Sequence, residues 1–172
     1  DPAVIELANT RLSGLNQGAL QDPRVHVVLD DAFRWHRDAP DCGFDAVIVY
    51  LPDPDTPALG RLYSTEFYGL AAAALNPGGL VVVQSGSPYS TPDAYWRTTS
   101  TVASAGLAVT PYHVLVPSFG DWGYVLARRR PEPPALRLPR DVSELRFLDE
   151  STLAASAIFP RDRPPRELEP ST

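Results

Sequence analysis

The chain has no methionine and no lysine, and its one cysteine is Cys42. A lone cysteine excludes a disulfide framework and a thiolate metal site, and it fits a reducing, cytoplasmic setting. The missing initiator residue leads us to expect a piece of something longer. All 15 basic residues are arginine, alongside much Ala, Pro and Asp, a bias that reflects genome composition more than chemistry. Long apolar runs are absent too. No stretch approaches the ~18 uninterrupted apolar residues of a membrane span, so direct membrane insertion by this segment is not expected. No signal peptide is expected at its start. Positive charge is scarce: a net charge of −6 disfavours nucleic acid, whose phosphates need a basic stripe. The only basic run, Arg128-Arg129-Arg130, reads as the solvated end of a strand.

What is present is an ordinary globular composition, 44% hydrophobic and 21% charged over 172 residues, enough for one domain with a core. Residues 2–12 predict a helix with Pro2 in its first turn and Asp1 as N-cap. Arg24 to Leu29 predicts a buried strand, and Asp30-Asp31 opens a helix over Ala32–Arg37. Ala46 to Tyr50 is a near-continuous apolar run, the mark of a parallel strand covered on both faces. A helix from Pro57 to Leu75 follows, stopped by Asn76-Pro77-Gly78-Gly79. Leu80 to Gln84 is a third strand, and Thr91-Pro92 starts a helix that runs to Ala105.

From there the rhythm changes. Val109–Val116 and Trp122–Arg128 are strands joined by the short loop 117–121 with no helix between them, so they predict an antiparallel hairpin. A mostly parallel sheet ending in such a hairpin is the pattern of the Rossmann-like α/β fold in its class I methyltransferase-like form. Beyond Arg130 the composition shifts, with eight prolines in the last 42 residues. We therefore expect a partial Rossmann-like domain over 1–130. Residues 131–172 would be a Pro-rich C-terminal extension with one short helix near Thr152–Ile158 and a mobile or docking tail.

Five ordered segments resemble the spermidine synthase (polyamine aminopropyltransferase) family. They are Asp1-Pro-Ala-Val-Ile-Glu-Leu, Asp22-Pro-Arg-Val-His-Val-Val-Leu-Asp-Asp-Ala-Phe, Phe44-Asp-Ala-Val-Ile-Val-Tyr-Leu-Pro-Asp-Pro, Leu62-Tyr-Ser-Thr-Glu-Phe-Tyr and Leu75-Asn-Pro-Gly-Gly-Leu-Val-Val-Val-Gln. The Leu-Pro-Asp-Pro form, Arg146-Phe-Leu and Leu168-Glu-Pro-Ser-Thr look most like actinobacterial relatives with a membrane-embedded N-terminal half. That implies a cytoplasmic domain of a membrane protein. The resemblance implies aminopropyl transfer from decarboxylated S-adenosylmethionine, a co-substrate rather than a resident cofactor, to a small polyamine. The alternatives are a non-catalytic polyamine- or nucleoside-binding domain and an S-adenosylmethionine-dependent methyltransferase on the same architecture.

Carried over residue by residue, the resemblance gives Asp31 an adenine contact, beside Ala32, and gives Pro57, Ala58 and Leu62 an apolar strip for the adenine. Asp53 would bind the substrate ammonium and Gln84 the polyamine. Each has a plainer reading. Asp31 caps a helix, Asp53 sits in a good turn sequence, and the apolar residues pack a core. Two positions depart from the family. Tyr50 stands where the family has its proton-accepting Asp, and Phe119 stands where the family has a substrate-side Tyr. An alkylammonium must lose a proton before it attacks, and a neutral phenol titrating near ~10 cannot accept it at neutral pH as a carboxylate can. The resemblance also places the glycine-rich loop, the first strands and the ribose-binding acid upstream of Asp1. Sheet edges left open by their absence would predict a homo-oligomer or a rearranged sheet. His26, His36 and His113 are dispersed, with no zinc-ligand spacing.

Overall fold

In the computed structural model, residues 1–38, 43–52, 54, 56–140, 142 and 145–172 are described. Helix α1 (Pro2–Asn9) starts where its sequence predicts and ends at Asn9, short of the predicted residue 12. The Asp1 carboxylate accepts the Ala3 N–H at 2.8 Å and Pro2 fills a position that needs no donor. A one-turn helix α2 (Ser13–Asn16) follows.

The predicted strand at 24–29 does not form. The segment is extended but unladdered, with Val28 57% and Leu29 53% exposed, and His26 lies in it rather than in a strand. An apolar β-branched run becomes a strand only when another backbone edge accepts its hydrogen bonds. Among the described residues this segment pairs with no strand. Helix α3 (Ala32–Asp38) then begins where Asp30-Asp31 predicts.

Strand β1 (Phe44–Val49) pairs in parallel with β2 (Leu75–Gln84), which pairs antiparallel with β4 (Gly120–Arg128), which pairs antiparallel with β3 (Ala108–Val116). The sheet order is β1-β2-β4-β3. The hairpin is therefore as predicted. The expectation that β1 is covered on both faces is not met, because Ile48 is 75% exposed. Between β1 and β2 the predicted single helix divides into α4 (Pro57–Gly60), a 3₁₀ turn over Arg61–Tyr63 and α5 (Thr65–Ala73). The break has a local cause: Ser64 turns extended and caps α5, accepting the Phe67 N–H at 3.2 Å.

Asn76-Pro77-Gly78-Gly79 is not the helix stop, since α5 has already ended. It is an irregularity inside β2, where the partner register jumps from Phe44↔Leu75 to Ala46↔Leu80. Gly78 takes φ +93°, open to glycine at little cost, and a Cβ on Gly79 would stand 2.8 Å from the Phe44 carbonyl.

The core lies under one face of the sheet. Val81 and Val83 of β2 and Val125 and Ala127 of β4 are fully buried, packed with Phe67, Tyr68 and Ala72 of α5. Helix α6 (Pro92–Ser104) adds Val102 to this layer. The last helix, α7 (Glu150–Ala155), falls near its predicted place. Chain following α7 runs beside β3: the His113 N–H donates to the Ser156 carbonyl at 2.9 Å. The His113 ring lies 2.7 Å from the Asp121 carboxylate and 3.0 Å from the Ile158 carbonyl.

Candidate active site

Helix α3 and the 3₁₀ turn assemble the first group of predicted residues. One Asp31 carboxylate oxygen accepts the Arg34 N–H at 2.9 Å, the capping role, and the other accepts Arg61 Nη2 at 2.8 Å. The Arg34 N–H and the nearby Arg61 charge hold the Asp31 carboxyl below the usual carboxylate range, against a smaller opposing effect of burial. The Arg61 guanidinium also sits 5.0 Å from the centre of the Phe33 ring. Ala32 and Leu62 pack against the core beside this pair. Pro57 and Ala58 lie exposed in the short helix just upstream.

The second group forms at the C-terminal ends of the parallel strands, where ligands bind in open α/β sheets. Because Val49 pairs with Val83, Tyr50 and Gln84 leave the sheet side by side, with Tyr124 opposite Gln84 on β4. Tyr50 is 74% exposed. Burial pushes the Tyr124 phenol up, and the neighbouring Tyr50 adds to that rise. Gln84 Oε1 is buried and accepts no hydrogen bond from the described residues. An unsatisfied buried amide oxygen costs on the order of 1–3 kcal/mol and is a ready acceptor for an N–H donor, such as an alkylammonium.

Gln84 opens onto a cavity of about 410 Å³ whose wall includes Tyr63, Ser85, Asp93, Arg97 and Ser171. Pro54, on the loop after β1, also lines it. The predicted Asp53 lies outside the described residues. Its loop is anchored on one side: the Tyr63 hydroxyl donates to the Pro52 carbonyl at 2.8 Å and stands 3.3 Å from the Leu51 carbonyl. Phe119 does not join this group. It stands at the hairpin tip, 65% exposed, with its ring 5.4 Å from that of Trp122.

Sequence reasoning therefore finds Tyr50 beside Gln84, and Asp31 beside Ala32 and Leu62. It misses Arg61 as the partner of Asp31, Tyr63 as the anchor of the loop, and Asp93 and Ser171 as cavity wall. Tyr63 carried a signal, because a tyrosine immediately before a Ser N-cap sits at a fixed corner. The contacts of Arg61 and Ser171 reach across 30 and 106 residues of sequence and left no local mark. Among the described residues no cluster of His, Cys, Asp and Glu could hold a metal ion.

Known proteins resemble this chain in sequence and in fold. Residues 1–136 match the family model of the spermine/spermidine synthase domain. The polyamine aminopropyltransferase of Mycobacterium tuberculosis is 63% identical over the whole chain, which covers 33% of that protein. Polyamine aminopropyltransferase 1 of Streptomyces coelicolor is 51% identical, again over the whole chain and 33% of the relative. The chain thus spans about a third of the length of the curated relatives it matches. In fold it resembles a spermidine synthase solved in complex with the transition state analogue AdoDATO. The TM-score is 0.77 and the identity 24%, over 94% of this chain and 57% of that one. The spermidine synthase of Thermotoga maritima superposes with a TM-score of 0.73 at 22% identity, over 94% of this chain and 56% of that one. On the family match over 136 of its residues and the identity across its whole length, the chain belongs to the spermine/spermidine synthase family.

Proposed function

We propose that this domain serves aminopropyl transfer from decarboxylated S-adenosylmethionine to a diamine within a longer cytoplasmic or membrane-attached protein, and that Tyr50 impairs the step. The amine nitrogen attacks the aminopropyl carbon next to the sulfonium. The C–S bond breaks, methylthioadenosine leaves and the ammonium proton must find a base. Gln84 Oε1 and Asp53 are assigned to the amine. Asp31, Ala32, Pro57, Ala58 and Leu62 are assigned to the nucleoside.

The observation that supports this reading is the Val49–Val83 pairing, which brings Tyr50 and Gln84 to the same end of the sheet, where Gln84 lines the cavity. The resemblance assigns position 50 to a carboxylate, and this chain has a phenol there. A general base contributes about 10²–10⁴-fold. Putrescine and decarboxylated S-adenosylmethionine should therefore turn over faster by that order in Tyr50→Asp than in the unmodified protein. Equal, brisk turnover in both would mean that another acid takes the proton, with Asp53 the first to replace.

The second reading, a polyamine- or nucleoside-binding domain without catalysis, is favoured by Phe119, which offers no hydroxyl, and by the exposure of Tyr50. Amine binding with no turnover in either variant would select it. We also propose self-association along the open edge of β1, where Ile48 is exposed. Light scattering should report a dimer or larger species that Ile48→Lys shifts toward monomer.

A further inference from the structure

Four polar side chains, from the exposed Asp93 and Arg97 to the fully buried Thr101, share one target across helix α6. Asp93, Arg97, Ser100 and Thr101 stand at helical spacing along it, and each holds a point on the last seven residues of the chain. Asp93 pairs with Arg166 at 2.6 Å, and Arg97 Nη1 donates to the Glu169 carbonyl at 3.1 Å. Ser100 Oγ accepts the Leu168 N–H at 3.0 Å, and Thr101 Oγ1 accepts the Ser171 N–H at 3.0 Å. Three of these four contacts read backbone, so the segment is held in one register rather than merely attracted.

The strap then reaches the other helix. The Ser171 carbonyl accepts both the Thr65 N–H at 3.0 Å and the Thr65 hydroxyl at 3.1 Å, at the start of α5. Two residues upstream of Thr65, Tyr63 holds the Pro52 carbonyl of the loop after β1. Ser171 is itself part of the wall of the cavity that Gln84 enters. One short segment thus touches the cavity directly and the loop at its mouth through a single helical corner.

We propose that the strap over residues 166–171 is a positioning element of the amine site, with Ser171 and Thr101 as positioning residues that set the width of the cavity and, through Tyr63, the position of Pro52. This rests on the assignment of the cavity to the amine. The cavity wall includes Ser171 but not Asp31, Ala32, Arg61 or Leu62, so the strap acts on the amine and leaves the nucleoside side untouched.

The first arm of the test needs no turnover. In the chain truncated after Pro165, the backbone amide signals of Thr65, Ser100 and Thr101 should move, and those of Tyr63, Gln84 and Ser85 with them. A synthetic peptide of residues 166–172 added in trans should restore both sets, and a scrambled peptide neither. Shifts confined to the first set, with the cavity residues unmoved, would overturn the proposal.

The second arm uses the full-length protein carrying Tyr50→Asp as background. Thr101→Val removes the acceptor for the Ser171 N–H at nearly constant volume. The KM for the diamine should rise about fivefold, the size of one hydrogen bond of about 1 kcal/mol, while the KM for the aminopropyl donor stays within about twofold. A rise in both together is the mark of general loosening and would overturn it. If the background itself shows neither turnover nor amine binding, the amine assignment falls, and with it the claim about amine selectivity. The spectroscopic arm would still decide whether the strap governs the cavity.

Discussion

The two flanks of the sheet are finished differently. On the β3 side the outer strand edge is dressed: the His113 N–H meets the Ser156 carbonyl, and the Thr110 hydroxyl donates to the Pro134 carbonyl at 2.6 Å. Phe159 completes this flank, its ring 4.8 Å from that of His113 and 4.9 Å from that of Trp96. On the β1 side Ile48 and Phe44 are exposed, 75% and 37%, and the apolar segment 24–29 forms no ladder. Both flanks carry β-branched sequence, and the difference lies in the partner. Strand propensity describes a side chain that fits a pleated, half-buried surface, and it is realised only where a second edge supplies that surface.

Four measurements would sharpen or break this contrast. The largest effect belongs to the finished flank. A Cβ on Gly123 would fall 2.3 Å from the Tyr95 ring and 2.9 Å from the Gly86 carbonyl, and Tyr95 is fully buried. Gly123→Ala should therefore cost about 3 kcal/mol in urea unfolding, the upper range for overpacking. A loss below 1 kcal/mol would show that β4 and α6 are looser than their contacts imply.

Next comes Val83→Ala, which opens a void between β2 and α5 and should cost about 2 kcal/mol by the same assay. A smaller effect concerns pH at the seam between α3 and α5. The His36 ring packs 5.8 Å from Phe67, and burial lowers its proton affinity relative to the unfolded chain. Unfolding then takes up a proton. This contribution is intact above pH ~6.5 and is lost as the pH falls from there through the lower folded value. His36→Phe should flatten the stability curve between pH 7 and 5, and an unchanged slope would place its cause elsewhere. The smallest change is predicted on the open flank: Val28→Ala should shift stability by less than about 0.5 kcal/mol. A cost comparable to that of Val83→Ala would mean that 24–29 is covered in solution, and would erase the contrast.

Much of the fold was legible in the sequence because much of it is local. The Asp1 cap and Pro2 announce α1, Thr91-Pro92 announces α6, and the missing helix between Val116 and Trp122 announces the hairpin. The split of the 57–75 helix was not seen, although Gly60 and Ser64 stand at its joints. An apolar helical period looks the same whether or not the chain pauses for one capped corner. Segment 24–29 failed for the opposite reason, since no local feature tells a run whether an edge awaits it. In the site, Tyr50 and Gln84 could be placed together because adjacent parallel strands deliver their ends to one place. The Arg61–Asp31 ion pair and the Ser171–Thr65 contact could not, because folding alone brings such distant residues together.

One consequence of the Arg61–Asp31 pair concerns ionic strength. The acid assigned to a nucleobase amino group already holds a guanidinium, with both partners about half exposed. Salt screens such a pair, whereas a neutral purine has no charge for salt to mask. Added electrolyte should then free the acceptor, and nucleoside affinity would climb with sodium chloride instead of declining.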